Sequence, residues 1–233
     1  MTATRRIIDF TTNVLSCAGR GQRVPVNRHQ PVKINLGCGL SVAPGWINVD
    51  GSLNALFAEW PKPVHRFLYR LSGSSQYIAF EEYHKLLHEN RFVFHNLEYG
   101  LPFVDRCADF IYSAHFVEHL TKQDGAHLLT EAFRVLKPGG RIRISVPDLA
   151  YAVSLYKSET ERMLDSYLFV EHRGSYFARH KYMYDYQLMK ATLERIGFTD
   201  VSRCSYRQGR VPDVVLLDNR PEDSLFVEAS RPL

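Results

Sequence analysis

Two sets of residues in this 233-residue chain have the types and spacing that chemistry needs. The first is Gly37-Cys38-Gly39, which ends an apolar run from Val32 to Leu36, together with Asp50-Gly51, which ends a second run from Trp46 to Val49. Glycines one residue apart remove Cβ atoms where backbone must approach a ligand, and the Asp50 carboxylate can accept both hydroxyls of a ribose. Plainer uses exist for the same residues: a tight turn for the glycines, a helix N-cap for the aspartate. The second set is His115, Glu118, His119, Asp148, Tyr151, His172 and His180. Histidine has the unperturbed pKa best suited to take a proton near neutral pH, which makes His119 and His180 the candidate catalytic bases. His119 could instead cap or orient the helix that follows it. His180 precedes Tyr182 and Tyr184, which fits either a polar-aromatic rim for a sugar ring or ordinary packing.

Positioning these residues requires strands that end at them. Val32–Leu36, Trp46–Val49, Arg91–His95, Asp109–Ala114 and Arg141–Val146 are expected strands, with two more at Val201–Tyr206 and Leu225–Ala229. Helical spacing runs from Leu120 to Leu136, with Thr121 as N-cap and Lys137-Pro138-Gly139-Gly140 as the stop. It recurs over 149–169 and over Asp185–Ile196. Strands alternating with helices argue for a mostly parallel sheet covered on both faces, and two late strands fit an antiparallel edge. Only Gly37 to Gly45 separate the first two strands, although a parallel crossover with its helix takes about 10–12 residues or more. That crossover must be cut down to a turn or a fragment of helix. Residues 53–90 carry helical spacings broken by Pro61, Pro63 and Ser72-Gly73-Ser74-Ser75, and are expected to be an inserted helical cap.

A hydrophobic content of 45% and a charged content of 23% are those of an ordinary globular domain. The net charge of +4 comes from scattered Lys and Arg, which gives weak support to nucleic-acid binding. Cys17, Cys38, Cys107 and Cys204 lie far apart with no C-x-x-C pair, so neither a metal centre nor a disulfide framework is expected and reduced thiols in the cytoplasm are the default. The run after Arg5 and Arg6 is interrupted by Asp9 and Asn13, too short and polar for a membrane span, and residues 1–30 are expected to be a helical leader to a domain at 31–233.

Four segments in order resemble the class I S-adenosylmethionine-dependent methyltransferases. They are Ile34–Gly39 with Gly45–Asp50, Leu101–Phe103 with Ala108–Ser113 and Glu118–Leu120, Glu131–Gly140 with its following strand, and His180–Tyr184 with Gly197-Phe198 and Ser224–Ala229. The short first crossover is similar to a bacterial subgroup, of the methyltransferase type 11 kind, found beside glycosyltransferases in polysaccharide gene clusters. The resemblance implies a Rossmann-like three-layer sandwich, α/β in class, with a mostly parallel seven-stranded sheet and S-adenosyl-L-methionine as cofactor. It implies that Gly37, Cys38 and Gly39 meet the aminoacyl end of that cofactor, that Asp50 with Gly51 holds its ribose, and that Asn96 and Leu97 meet its adenine. His115 would contact the methionine portion. A dinucleotide site fits less well, since Gly39 is followed by no third glycine and Asp50 arrives too early for a full pyrophosphate-binding helix.

Methyl transfer is a displacement at a sulfonium that brings its own leaving group, so the protein mainly positions an acceptor and removes a proton from a hydroxyl. No Pro-Cys nucleophile is present, and Ser113-Ala114-His115-Phe116 lacks the Asp/Asn-Pro-Pro-aromatic run used on exocyclic base amines. Both absences lower the nucleic-acid reading and leave a ribose acceptor open; the expected reaction is O-methylation of a small-molecule or saccharide hydroxyl, with 53–90 and 149–182 enclosing the acceptor. The alternative is a non-catalytic partner module of a biosynthetic complex that keeps the fold.

Overall fold

The computed structural model of the chain describes residues 14–15, 21–168 and 179–233. Val14 and Leu15 are helical; the rest of the leader helix expected before residue 21, and His172, lie outside the described residues. Seven strands are present among those described: β1 (Lys33–Leu36), β2 (Ile47–Asp50), β3 (Arg91–Phe94), β4 (Ala108–Ala114), β5 (Leu136–Pro147), β6 (Thr199–Cys204) and β7 (Ser224–Ser230). Their order in one sheet is β3-β2-β1-β4-β5-β7-β6. The first five strands run parallel, and β7 is antiparallel to both of its neighbours. The expected Rossmann-like architecture, mostly parallel with an antiparallel edge, is therefore the observed one.

The helices are α1 (Leu53–Leu56), α2 (Lys62–Leu71), α3 (Phe80–Glu89), α4 (Lys122–Val135), α5 (Leu149–Ser154), α6 (Thr160–Met163), α7 (Tyr186–Ile196) and α8 (Val214–Leu217). Thr121 caps α4 by accepting the Asp124 N–H, and Asp185 caps α7 by accepting the Leu188 N–H. The helical stretch expected over 149–169 is broken into α5, a 3-10 turn at Leu155–Lys157, α6 and a π turn at Leu164–Leu168. The sixth strand sits two residues earlier than expected. Asp200, at φ 52°, makes an irregularity that lets pairing reach Thr199 opposite Ser230 and releases Tyr206.

One sheet face is apolar. Ile34, Leu36, Val49, Ile111, Ile142, Ile144 and Val227 pack against Leu128, Leu129 and Ala132 of α4 and Met189 and Leu193 of α7. The opposite face carries buried Asn35, Asn48, Tyr112, Arg143 and Glu228. Over its centre lie Trp46 and the segment around α8, packed through Val211, Val214 and Leu217. Helices α1 to α3 cover the β3 end, where Tyr83 and Leu87 of α3 meet Phe92, Ala55 and Cys38.

The first crossover has no helix, and its loop is pinned by side chains instead. Asn35 Nδ2 donates to the Ser41 carbonyl at 2.8 Å and to Asn48 Oδ1 at 3.1 Å. Trp46 Nε1 and Lys33 Nζ both donate to Asp213 Oδ2, at 2.8 and 2.7 Å, which ties the loop to the residue preceding α8. The segment around α8 thus covers the face that a crossover helix would otherwise cover.

Candidate active site

Gly37 follows β1 with φ +64°, and its N–H donates to the Val49 carbonyl at 2.9 Å. A Cβ there would overlap the Phe116 ring, so the glycine is required both by its backbone and by a phenyl ring laid against it. Gly39, at φ +52°, has open space where its Cβ would stand. Its N–H donates to Asp50 Oδ2 at 2.8 Å, and the Ser52 N–H donates to Asp50 Oδ1 at 2.7 Å. Each carboxylate oxygen keeps a further acceptor position, so Asp50 can still receive two hydroxyls. Asp50 is not the N-cap of α1; that position is Ser52. The open face of Gly39 beside a half-buried carboxylate fits the ribose and aminoacyl end of S-adenosylmethionine.

The other cofactor candidates stand as follows. The Cys38 side chain turns away into the core under α3, where burial first and the Asp50 charge second push its thiol well above the ordinary range. Cys38 can offer backbone to a ligand while its sulfur stays protonated. Gly51 lies against the His95 carbonyl, 3.6 Å from its would-be Cβ. Asn96 uses its Oδ1 to accept the Glu98 N–H at 3.0 Å, capping the turn Leu97–Tyr99, and Leu97 is buried in the main core. The Asn96 side-chain acceptor is therefore already engaged, as Asn commonly is at the start of a turn.

His115 follows β4 at φ +50°, an uncommon conformation for a residue with a side chain, held by its N–H to the Ser145 carbonyl at 2.8 Å. The ring is buried, with Nε2 2.9 Å from Ser224 Oγ and Nδ1 3.5 Å from Glu118 Oε1. A 3-10 turn, Val117–His119, follows. The Glu118 carbonyl accepts N–H groups from Lys181 at 2.7 Å and Tyr182 at 3.2 Å, and this pairing brings His180 to the turn. His119 and His180, 61 residues apart, face one another with ring centroids 5.2 Å apart.

Both imidazoles have a fixed tautomer. His119 Nδ1 lies 3.1 Å from the Arg179 carbonyl and His180 Nδ1 lies 2.9 Å from the Tyr167 carbonyl. A carbonyl only accepts, so each Nδ1 carries the hydrogen and each neutral ring keeps its lone pair on Nε2. His119 Nε2 is 3.8 Å from Glu118 Oε1, too long for a hydrogen bond. Glu118 itself has no exposed surface, and neither carboxylate oxygen has a hydrogen-bond partner among the described residues. Burial pushes its pKa up, but the adjacent His115 and His119 outweigh that and hold it below the ordinary carboxylate range. Buried carboxylates with perturbed titration and specific charge partners cluster at functional sites.

His180 also lines a cavity of about 380 Å³ with Pro147, Tyr151, Tyr167, Arg162, Arg220 and Asp223. Tyr167 donates its hydroxyl to Asp223 at 3.1 Å. The aromatic rim expected at Tyr182 and Tyr184 is elsewhere: Tyr184 is buried in the main core and Tyr182 packs edge-on against it. The tyrosines at the cavity are Tyr151 and Tyr167. Asp148 is no base, since its Oδ1 caps α5 through the Ala150 N–H and its Oδ2 pairs with Arg203 at 2.7 Å. His119 does not cap α4, a role that Thr121 fills. Phe116, Tyr167 and Arg220 escaped the sequence, because the first approaches Gly37 only in three dimensions and the others come from irregular segments without periodicity.

Residues 51–144 match the methyltransferase domain family. No curated protein matches the sequence. Among solved structures the chain is similar to the complex between the Haloferax volcanii Trm112 methyltransferase activator and a methyltransferase, at 13% identity and TM-score 0.51, covering 100% of this chain and 99% of that one. It is also similar to the apo S-adenosylmethionine-dependent methyltransferase SibL (18%, TM-score 0.50, 97% of this chain) and to the CurJ carbon methyltransferase (15%, TM-score 0.50, 100% of this chain). The chain spans only 55% and 56% of those two. At these identities the structures establish the fold. The match to the methyltransferase domain family over residues 51–144 is consistent with S-adenosylmethionine as the cofactor.

Proposed function

We propose that the chain transfers the methyl group of S-adenosylmethionine to a hydroxyl of a small-molecule or saccharide acceptor, as a step in polysaccharide assembly. The cofactor would lie over Gly39 with its ribose on Asp50, and the acceptor in the cavity beside His180. When bound, the cofactor supplies the electrophilic methyl group and the leaving thioether. Nε2 of His119 or His180 would take the hydroxyl proton of an acceptor placed beside it. One observation carries the reading: His119, three residues after the Phe116 whose ring lies on Gly37, faces His180, which borders the cavity, and each imidazole keeps its lone pair on Nε2. Intact Gly39 and Asp50 weigh against the non-catalytic alternative.

Calorimetry with S-adenosylmethionine and a labelled-methyl screen over nucleotide sugars and oligosaccharides test it. Wild-type chain should bind the cofactor, and Asp50→Ala should weaken binding by roughly tenfold or more, the loss of about 1.5–3 kcal/mol for hydrogen bonds to a charged group. His119→Ala and His180→Ala should lower turnover by about 10²–10⁴-fold without changing cofactor affinity. An absence of binding at millimolar cofactor rejects the enzyme, and unchanged rates in both histidine variants reject the assignment of the base.

A further inference from the structure

We propose that Glu118, His119 and His180 bind a divalent transition-metal ion, with zinc the best match to the ligand set. The argument begins with what the three groups offer each other. A carboxylate oxygen and two imidazole nitrogens lie with all three ligand atoms within 4.8 Å of one another. The tautomers set by the Arg179 and Tyr167 carbonyls make both Nε2 atoms lone-pair donors. The carboxylate has no hydrogen-bond donor within bonding distance among the described residues. Three acceptor atoms therefore gather around one volume that a cation can bridge.

Two histidines and one carboxylate form the ligand set of catalytic zinc sites and of facial triads with open positions. Outer groups are in place as well. Each candidate ligand imidazole gives its Nδ1–H to a backbone carbonyl, the contact that orients ligating histidines, and His115 stands 3.5 Å from Glu118 on its remaining side. A tetrahedral ion with bonds of about 2.0 Å needs its ligand atoms about 3.3 Å apart. His119 Nε2 and Glu118 Oε1 are 3.8 Å apart and all three ligand atoms lie within 4.8 Å of one another, so the side chains would draw together to close the shell. The open positions would face the cavity that His180 lines.

The inference rests on the proposed methyl transfer only for what the ion does, and in the ion-bound chain it replaces the histidine base of that reading. Bound there, the ion would hold the acceptor oxygen and lower the pKa of its hydroxyl, so that the proton leaves to solvent and the two imidazoles act as ligands in place of a base. Ion binding itself needs neither cofactor nor acceptor.

The full-length chain, stripped with chelator and dialysed, is titrated with zinc chloride alone at neutral pH by calorimetry. One ion per chain should bind. Glu118→Gln, His119→Ala and His180→Ala should each weaken binding by about tenfold or more. His84→Ala serves as the control, because His65 and His84 on α2 and α3 form a separate pair 2.8 Å apart; it should bind as wild type does. Cobalt(II) substitution tests the ligand set in the unmutated chain, whatever the variants do to folding. Nitrogen and oxygen ligands give weak visible bands without a thiolate charge-transfer band. No stoichiometric binding, unchanged affinity in all three ligand variants, loss in the control alone, or a thiolate band each overturns the site. A chain that binds zinc but not S-adenosylmethionine would keep this site and reject the methyltransferase; the converse would do the opposite.

Discussion

A buried carboxylate with no hydrogen-bond partner among the described residues is costly, and the imidazoles on either side of Glu118 offset that cost. Its place was half legible. Histidines at 115, 119 and 180 stand out by type, and the preference for His119 and His180 needs only their pKa. Their meeting does not follow from spacing, because it depends on Lys181 and Tyr182 donating to the Glu118 carbonyl across more than 60 residues. Asp148 shows the opposite case: a candidate base by type, it is spent on a helix cap and an ion pair. Not every buried histidine here belongs to the site. His95 gives Nε2–H to the Gly100 carbonyl at 3.1 Å, and burial lowers its pKa against that bond, which raises it. A depressed folded pKa means that the stabilisation is complete above the unfolded value of about 6.5 and is lost as pH falls through the folded one. Thermal unfolding midpoints measured from pH 7.5 downward should therefore fall in wild type below about pH 6.5, and fall less in His95→Gln, which keeps a donor for Gly100 and has nothing to titrate. Equal slopes in the two proteins would remove His95 from the account.

The helix-free crossover between β1 and β2 is the element that decides the cofactor cleft. Its shortness was visible in the distance from Gly39 to Asp50, and the exclusion of a pyrophosphate helix followed from that. What stabilises it was not visible, since an asparagine in a strand carries no sign of its partner. Asn35 and Asn48 sit opposite one another in register, and Asn35 spans from β2 to the Ser41 carbonyl. Asn35→Ala would leave that carbonyl and Asn48 Oδ1 without their donor inside the fold, a cost of about 1–3 kcal/mol. The same change should weaken S-adenosylmethionine binding, because Gly39 loses the tether that holds its N–H on Asp50. Chemical denaturation with cofactor calorimetry on the one variant reads both effects; a destabilised chain with full cofactor affinity would separate the loop from the cleft. The regular elements were the most legible. α4 announced itself through Thr121 and the Pro138-Gly139 stop, and α7 through Asp185. Residues 149–168 did not, because apolar spacing of three and four is shared by 3-10, α and π turns and only tertiary packing chooses among them.

At the scale of the whole molecule the sheet has one apolar and one polar face, and the difference organises the chain. The apolar face takes α4 and α7, and in the sequence only the alternation of Arg141 to Val146 within β5 pointed to it. The polar face is closed by residues 205–218, a stretch with no periodic signal, so its role could not be foreseen. The closure depends on charge. Arg143, with no exposed surface, donates Nε to Asp218 Oδ1 at 2.9 Å, Nη2 to Asp218 Oδ2 at 2.6 Å and Nη1 to Glu228 Oε1 at 3.1 Å. Its remaining N–H groups reach the carbonyls of Ser205 and Gln208, and Glu228 in turn accepts the N–H groups of Arg210 and Val211. One guanidinium thus neutralises two buried acids and fixes the segment that carries α8 onto Trp46. Removing it leaves two carboxylates buried without their cation, so Arg143→Ala should cost about 3–5 kcal/mol. For a chain of this size that is a fall in unfolding midpoint of roughly 6–20 °C. Because Asp213 anchors Trp46 and Lys33 from the same segment, the loss should spread to the cleft: cofactor affinity should drop in a variant whose substitution touches no cofactor residue. A variant of near wild-type midpoint would show that the 205–218 segment is held by its apolar contacts, and that the ion network adds specificity of placement without net stability.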